Sequence, residues 1–510
     1  MGRSWIFILI TVLTVSNGFK ILGILPTGGR SHDIIGAAFM RALAAAGHEV
    51  TIITPYPAKN PPPNYHQIEL TGMLELKKQN EVNMFDYQGS GPLAFTIMLI
   101  ILYEMFPAIT CEYVLKHPNV VNLLNSNEKF DAVLVETFIS ESLYGFAQHF
   151  NAPLITFSAF GNSMWTADLV GAPLPLSELV HFWDRFLYTV FDYVDKAYYK
   201  WRYLPAQKRL YDSAFPNAKL SFEQQLRNVS LVFLNQHFSV NVPMPYPPNM
   251  VEVGGIQVDD PKPLPEDLQK YLDESTDGII YFCMGSNVKS IDFPETKRQA
   301  FLKAFAKLKQ RVLWKFENDT LPNQPPNVMI KPWMPQNDIL AHPNVKLFIT
   351  HGGLLGVTES MYHGKPMVGI PIYGDQTTNV EKAVKAGYAV LLDYNELSEA
   401  TIYQAIDTVL GDPAYGRNAM QMSKRFRDKP MTPKELAVYW VEYVIRYRGA
   451  PHLRSPVMDL TLLQQGSIDV HALLVVIILS IIVINLYITK ILWLKLVKRK
   501  VSLDSQKKRS

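Results

Sequence analysis

The residues best suited to chemistry in this chain lie around two short glycine turns, each at the end of an apolar run. Residues 345–350 (VKLFIT) carry no helical period and read as a buried parallel strand. His351-Gly352-Gly353 is the turn at its end, with a helix expected from about Leu354. Glycines let backbone approach an anion closely, and the unpaired N–H groups of a helix start attract negative charge. The chemistry predicted is a grip on phosphate, to which His351 adds one donor. A second apolar run, 278–284 (GIIYFCM), ends at Gly285-Ser286, so the Ser286 hydroxyl is placed to reach the same anion. Near the other end of the chain, His32 follows the run 19–25 (FKILGIL) and the turn 26–31, directly before a predicted helix over 33–46. A helix N-terminus disfavours imidazolium, which keeps a ring there neutral. His48, between Gly47 and the next strand, reads as a structural turn residue.

These residues need strands and helices to hold them. The run 19–25, the helix 33–46 ended by Gly47, and the strand 49–54 form a βαβ unit. Further strands are expected at 131–135 and 153–157, with a helix over about 141–150 between them. The pattern restarts after Asn249, with strands at 278–284, 312–316, 328–330, 345–350 and 367–370. Proline-rich stretches at 243–248 and 261–265 mark a linker. The reading is α/β: two doubly wound domains facing one another, with a ligand cleft at the carboxyl ends of their strands. The apolar stretch 93–103 is too short to cross a bilayer and is expected as a buried core helix, an interfacial element beside the cleft entrance being the alternative.

The segment 333–376 (WMPQNDILAHPNVKLFITHGGLLGVTESMYHGKPMVGIPIYGDQ) resembles the donor-binding signature of the UDP-glycosyltransferase family along its whole length. The resemblance covers almost all of the chain after the first 18 residues. The wording at 252–256 (EVGGI), 284–287 (MGSN) and 313–317 (LWKFE) is similar to insect-type membrane-bound members. It implies a GT-B fold, with an acceptor-binding domain over 19–249 and a UDP-sugar-binding domain over 250–445. In that pattern Trp333 stacks on uracil, Gln336 bonds the base or ribose, Glu359 accepts from ribose hydroxyls, and Asp375 and Gln376 bind sugar hydroxyls. The resemblance makes His32 the catalytic base, taking a proton from an acceptor hydroxyl as that oxygen attacks the anomeric carbon. A carboxylate behind such a base fixes its tautomer, and the matching position is Glu136, where the family often has Asp. Glutamate is one methylene longer, so it either adopts a different rotamer or loosens the pair. A second departure is Leu355-Gly356, where Asn then Ser or Gly is usual; Leu355 cannot bond phosphate, which shifts load to backbone amides and Ser286 and alters donor affinity or sugar preference. The implied reaction is one inverting displacement from a UDP-sugar, with glucose favoured over glucuronate as the sugar. The UDP-sugar is co-substrate, and no other cofactor is implied.

The rest of the composition bounds function. A net charge of +3 on 510 residues argues against nucleic acid as a partner. No Asp-x-Asp motif and no zinc-type His/Cys spacing occur, so no metal is expected. Two cysteines, Cys111 and Cys283, exclude a disulfide scaffold. Residues 1–18 read as a signal peptide, and 470–489 as a transmembrane helix preceded by a juxtamembrane segment, 446–469. The tail 490–510 holds eight Lys/Arg against one acid, Asp504, which puts it on the cytoplasmic side. Lys507 and Lys508 resemble a dilysine retrieval signal of the endoplasmic reticulum. The expected protein is therefore single-pass, with lumenal catalytic domains, a lipid partner for its span and two sequons at Asn228 and Asn318. Aromatics of the first half, among them Phe157, Phe160, Trp165 and Phe182, suit a small lipophilic acceptor bearing a hydroxyl. Oligomeric state is open between monomer and homo-oligomer. A non-catalytic binding protein on the same fold is the alternative function. A nicotinamide-dependent dehydrogenase lacks its Gly-x-Gly-x-x-Gly after the first strand.

Overall fold

Strands that are apolar on both faces must be covered on both, which calls for parallel sheets between helices. The computed structural model describes residues 18–80, 83, 85, 92–173 and 181–507, and among these there are two such sheets. The first contains β1 (Lys20–Ile24), β2 (Glu49–Thr54), β3 (Tyr65–Glu69), β4 (Ala132–Glu136), β5 (Leu154–Ser158), β6 (Val229–Leu234) and β7 (Met250–Glu252). Their order is β3-β2-β1-β4-β5-β6-β7. The second contains β8 (Ile279–Cys283), β9 (Arg311–Lys315), β10 (Val328–Lys331), β11 (Val345–Thr350), β12 (Met367–Gly369) and β13 (Ala389–Leu391), in the order β10-β9-β8-β11-β12-β13. Every neighbouring pair is parallel. This is the GT-B arrangement. In each sheet the order reverses once, between β1 and β4 and between β8 and β11. Loops leaving the two strands of such a pair turn toward opposite faces and open a crevice at the carboxyl edge.

Several boundaries differ from expectation. Gly29 is the N-cap of the first helix, Arg30–Ala45, so His32 lies inside the first turn rather than before it. The predicted helix over 141–150 divides into a 3₁₀ turn, Glu141–Tyr144, and a short α-helix, Gly145–His149. Met250–Glu252 pairs with β6, which carries the first sheet three residues past the expected division at 249. The chain also returns late: helix Pro433–Arg446 packs Ala437, Val441 and Val444 into the same core as Phe39 and Leu43 of helix Arg30–Ala45. The stretch expected as a buried core helix forms helix Pro92–Phe106, which continues through a π-turn, Pro107–Glu112, to Tyr113–Lys116. Leu99 and Tyr103 are buried, but Leu93, Ile97, Ile101 and Met105, spaced four apart, are exposed, so only one face of it is core. Cys111 and Cys283 are free thiols in separate cores.

Residues 455–510 form a separate unit. Its helix Ile468–Lys507 carries, within Ile468–Lys500, an 18-residue window of mean hydropathy 2.8, none of it buried against protein. By length and composition it can cross a bilayer, as can Thr96–Lys116 at 1.6. The signal-peptide reading of 1–18 lies, but for Gly18, outside the described residues, as do 508–510 of the tail.

The second sheet is anchored by Trp314 on β9, which is fully buried. Phe282, Phe301 and Phe305 surround it at 4.8, 5.9 and 5.8 Å between ring centroids, and its indole N–H donates to Ser290 Oγ at 3.0 Å. Trp314→Ala is expected to cost about 3–5 kcal/mol by emptying this site and orphaning Ser290. Trp314→Phe should cost less. Thermal unfolding of the detergent-solubilised chain measures both.

Candidate active site

β1 and β4 run side by side with Ile24 opposite Val135, so the last residue of β4, Glu136, projects at the same level as the loop leaving β1. That loop runs through Thr27 to Gly29, and the helix it opens brings the His32 ring back over Glu136. His32 Nδ1 is in direct hydrogen-bond contact with Glu136 Oε1, and Thr27 Oγ1 donates to the other carboxylate oxygen at 3.3 Å. Glu136 has no exposed surface, whereas His32 is on the cavity wall with its ring between Phe138 and Phe160, at 4.9 and 5.2 Å. With Nδ1–H directed at the carboxylate, Nε2 is left as the acceptor nitrogen, and it makes no hydrogen bond among the described residues. The extra methylene of Glu136 does not separate the pair. The first-turn acid Asp33 is separately engaged: it accepts from Thr54 Oγ1 and pairs with Arg30 at 3.2 Å.

The second half is built the same way. Thr350 lies opposite Cys283 in the β11–β8 ladder, so the loops after these strands, 351–353 and 284–287, emerge together. The His351 ring fills a slot made by missing side chains. A Cβ on Gly285 would sit 2.5 Å from His351 Cε1, and one on Gly353 2.4 Å from Nε2. Gly285 and Gly352 also hold φ of +91° and +82°, which side chains rarely adopt. Burial, with a smaller push from nearby Lys315, lowers the His351 pKa to about 4, so at neutral pH the ring is uncharged and has one N–H to give. Helix Leu354–Tyr362 starts at once, capped by Gly353 without a side-chain bond, so its first amides are open.

Other expected residues arrive from neighbouring loops. Trp333, after β10, is 57% exposed and lies against the cavity, unusual for so large an apolar ring and suited to stacking. Gln336 opens helix Gln336–Ala341 and donates through Nε2 to Glu359 Oε2 at 2.6 Å. Burial lifts the Glu359 carboxyl to about 7, against the opposing effect of that bond. Gln376, at the start of helix Gln376–Lys385, uses its carbonyl to accept from the Ile372 and Tyr373 N–H groups at 2.8 and 3.2 Å, which leaves its amide hydrogens for a ligand. Asp375 beside it is raised by burial, against the opposing effect of a hydrogen bond from Asn379.

One cavity of about 1360 Å³ joins these groups. That exceeds the ~300–1,000 Å³ of a one-ligand pocket and has room for two. It is lined by His32, Ser286, Trp333, Gln336, His351, Gly353, Glu359, Asp375 and Gln376. Glu136 and Gly352 stand behind the wall: Glu136 supports His32, and Gly352 turns the chain and accepts from Asn379 Nδ2 at 3.1 Å. Of the aromatics expected in the pocket, Phe160 and Trp165 line it, but Phe157 is core and Phe182 is exposed on the surface away from it. Leu355 lines the cavity and packs on the core of the first half, so an apolar contact occupies the position where the sequence suggested a lost phosphate donor.

Two contributors were not foreseen. Asn379 bonds Asp375 Oδ2 at 2.7 Å as well as Gly352, tying the two loops together. It sits one helical turn beyond Asp375, a spacing that could have flagged it. Lys315 ends β9 and donates to Gly285 O at 2.8 Å and to Glu317 Oε1 at 2.6 Å. A charge directly after the apolar run 312–314 is the signal it left in the sequence.

Residues 62–502 match the family profile described as UDP-glucoronosyl and UDP-glucosyl transferase. The chain is 37% identical over 495 residues to UDP-glycosyltransferase UGT5 of Dactylopius coccus, covering 95% of this chain and 94% of that one. It is 37% identical over 511 residues to UDP-glucosyltransferase 2 of the same organism, with 96% of each covered. It is 30% identical over 517 residues to UDP-glucuronosyltransferase 1A3 of Rattus norvegicus, with 94% and 93% covered. Among solved structures, the glycosyltransferase VinC in complex with DTDP shares the fold at a TM-score of 0.58 and 16% identity, covering 84% of this chain and all of that one. The glycotransferase of kitacinnamycin does so at 0.58 and 17%, covering 84% and 99%. A match over nearly the whole chain, on a two-sheet fold with one cavity at both crossover points, makes this protein a member of the UDP-glycosyltransferase family, a UDP-sugar-dependent hexosyltransferase.

Proposed function

We propose that the protein transfers glucose from UDP-glucose to a hydroxyl of a small lipophilic acceptor by a single inverting displacement. The observation that carries this reading is the pairing of His32 with buried Glu136 on one wall of the cavity whose other wall holds His351, Asp375 and Gln376. In this scheme the domain over 19–249 receives the acceptor and the domain over 250–445 holds the donor. Trp333 stacks on uracil, Gln336 bonds the base or ribose, and Glu359 accepts from the vicinal ribose hydroxyls. The amides opening helix Leu354–Tyr362, with Gly353, His351 and Ser286, grip the diphosphate. Asp375 and Gln376 bind the sugar.

The acceptor hydroxyl gives its proton to His32 Nε2 as its oxygen forms a bond to the anomeric carbon. The bond from that carbon to the diphosphate oxygen breaks, and its electron pair leaves with UDP. Glu136 stabilises the imidazolium that forms. Donors preorganised at the leaving oxygens need no metal in this scheme. Helix Ile468–Lys507 is proposed to span the endoplasmic reticulum membrane over 470–489, with the basic stretch 490–510 cytoplasmic and the catalytic domains lumenal. The exposed positions of Asn228 and Asn318 suit that topology.

His32→Ala is expected to lower kcat by about 10²–10⁴ and Glu136→Gln by less, with donor affinity nearly unchanged; transfer of radiolabelled glucose to a phenol panel measures this. Equal rates in wild type and His32→Ala would refute the assignment of the base. A donor panel with product mass would show UDP-glucose used ahead of UDP-glucuronate.

The Glu359 carboxyl, raised to about 7, accepts from two ribose hydroxyls only when ionised. UDP-glucose should therefore bind more tightly as pH rises from 6 to 8, by up to about tenfold, and Glu359→Gln should flatten that profile in calorimetry. In microsomes, Asn228→Gln and Asn318→Gln should each remove one endoglycosidase-sensitive mass increment. An unglycosylated wild type would overturn the lumenal topology.

A further inference from the structure

The half of the cavity bounded by the first sheet holds a polar group that the reaction above leaves unused. Asp195, on helix Phe182–Tyr198, lines the cavity yet is only 5% exposed, and its Oδ1 has no hydrogen-bond partner among the described residues. The Tyr103 hydroxyl, which accepts from Trp165 Nε1 at 2.9 Å, is a close electrostatic neighbour of its carboxylate. Asp192, a turn earlier, is paired with Lys196 at 2.8 Å. A buried acceptor left open costs about 1–3 kcal/mol, so a carboxylate held this way among aromatic rings wants a donor from outside. Burial raises its pKa to about 6, which leaves it mostly ionised at neutral pH.

Its distance from the chemistry limits what that donor can be. A chain of rings runs from His32 through Phe138 and Trp165, which line the cavity, to buried Tyr103, with centroid steps of 4.9, 5.8 and 6.5 Å. Met98, Leu102 and Phe106 line the same stretch. Tyr103 is thus three ring-to-ring steps from His32. We infer that Asp195 is an acceptor subsite that takes a second hydrogen-bond donor, a hydroxyl or an ammonium, at the far end of an elongated lipophilic acceptor whose reacting hydroxyl lies at His32. This rests on His32 as the base. It narrows the acceptor class from any lipophilic alcohol to long, flat molecules polar at both ends.

The test uses the full-length enzyme in detergent and three 4-hydroxybiphenyls bearing 4′-hydroxyl, 4′-aminomethyl or 4′-methyl groups. Wild type should favour the hydroxyl and aminomethyl acceptors over the methyl one by about 10- to 100-fold in kcat/KM, the worth of a hydrogen bond to a charged group. Asp195→Leu should bring both ratios close to one. Asp195→Asn, whose amide oxygen still accepts, should keep part of the hydroxyl preference and lose the aminomethyl one. Calorimetric binding of the same three compounds separates this inference from the assignment of the base: His32→Ala should lose transfer but keep the binding preference. Equal affinities in wild type, or a preference that survives in Asp195→Leu, would overturn the subsite.

Discussion

A glutamate side chain with no exposed surface ends β4, and the first half of the molecule is organised around making that tolerable. An unpaired carboxylate in such a place would shed its charge or unfold its surroundings. Here the His32 ring and the Thr27 hydroxyl each occupy one of its oxygens. Both come from the β1 loop and the first turn after it, so the loop's path, the helix start at Arg30 and the facing of the histidine are fixed together. The same contact gives the imidazole its tautomer. What stabilises the fold at this point is also what readies the ring for the role of base proposed for it.

The second half solves a related problem with opposite means. The diphosphate proposed to bind here carries charge that must be met, yet His351 is uncharged. Positive potential comes instead from oriented amides at a helix start and from Lys315, held one layer back by the Gly285 carbonyl and Glu317. Lys315 meanwhile helps to keep His351 neutral. Glycines on either side give the ring its place, so small residues here are a requirement of packing as much as of phosphate approach.

Much of this was legible in the chain because both crossover points fall after strands whose apolar character is unbroken. His32, Ser286 and the 351–353 turn could be placed at strand ends from sequence alone, and the resemblance over 333–376 named the remaining donor-side positions. What escaped was set by contacts between distant segments. The reach of Glu136 depended on the backbone of the β1 loop, which periodicity does not describe. The start of the first helix moved because a glycine capped it. Leu355 looked like a missing donor until its packing on the first half was visible. Phe157 and Phe182 could not be told apart from Phe160 and Trp165, since all four are aromatic and only tertiary packing assigns them to core, surface or cavity. Asp195 gave no local signal, being one acid among several on an amphipathic helix.

The route of the backbone between the halves has its own consequence. It crosses once after β7 and again before helix Pro433–Arg446, which docks against helix Arg30–Ala45. Two strands of chain therefore bridge the gap, like paired pins in a hinge. Sliding or twisting of one half over the other would strain both connections at once. The return helix thus fastens the end of the second half to the very helix that carries His32.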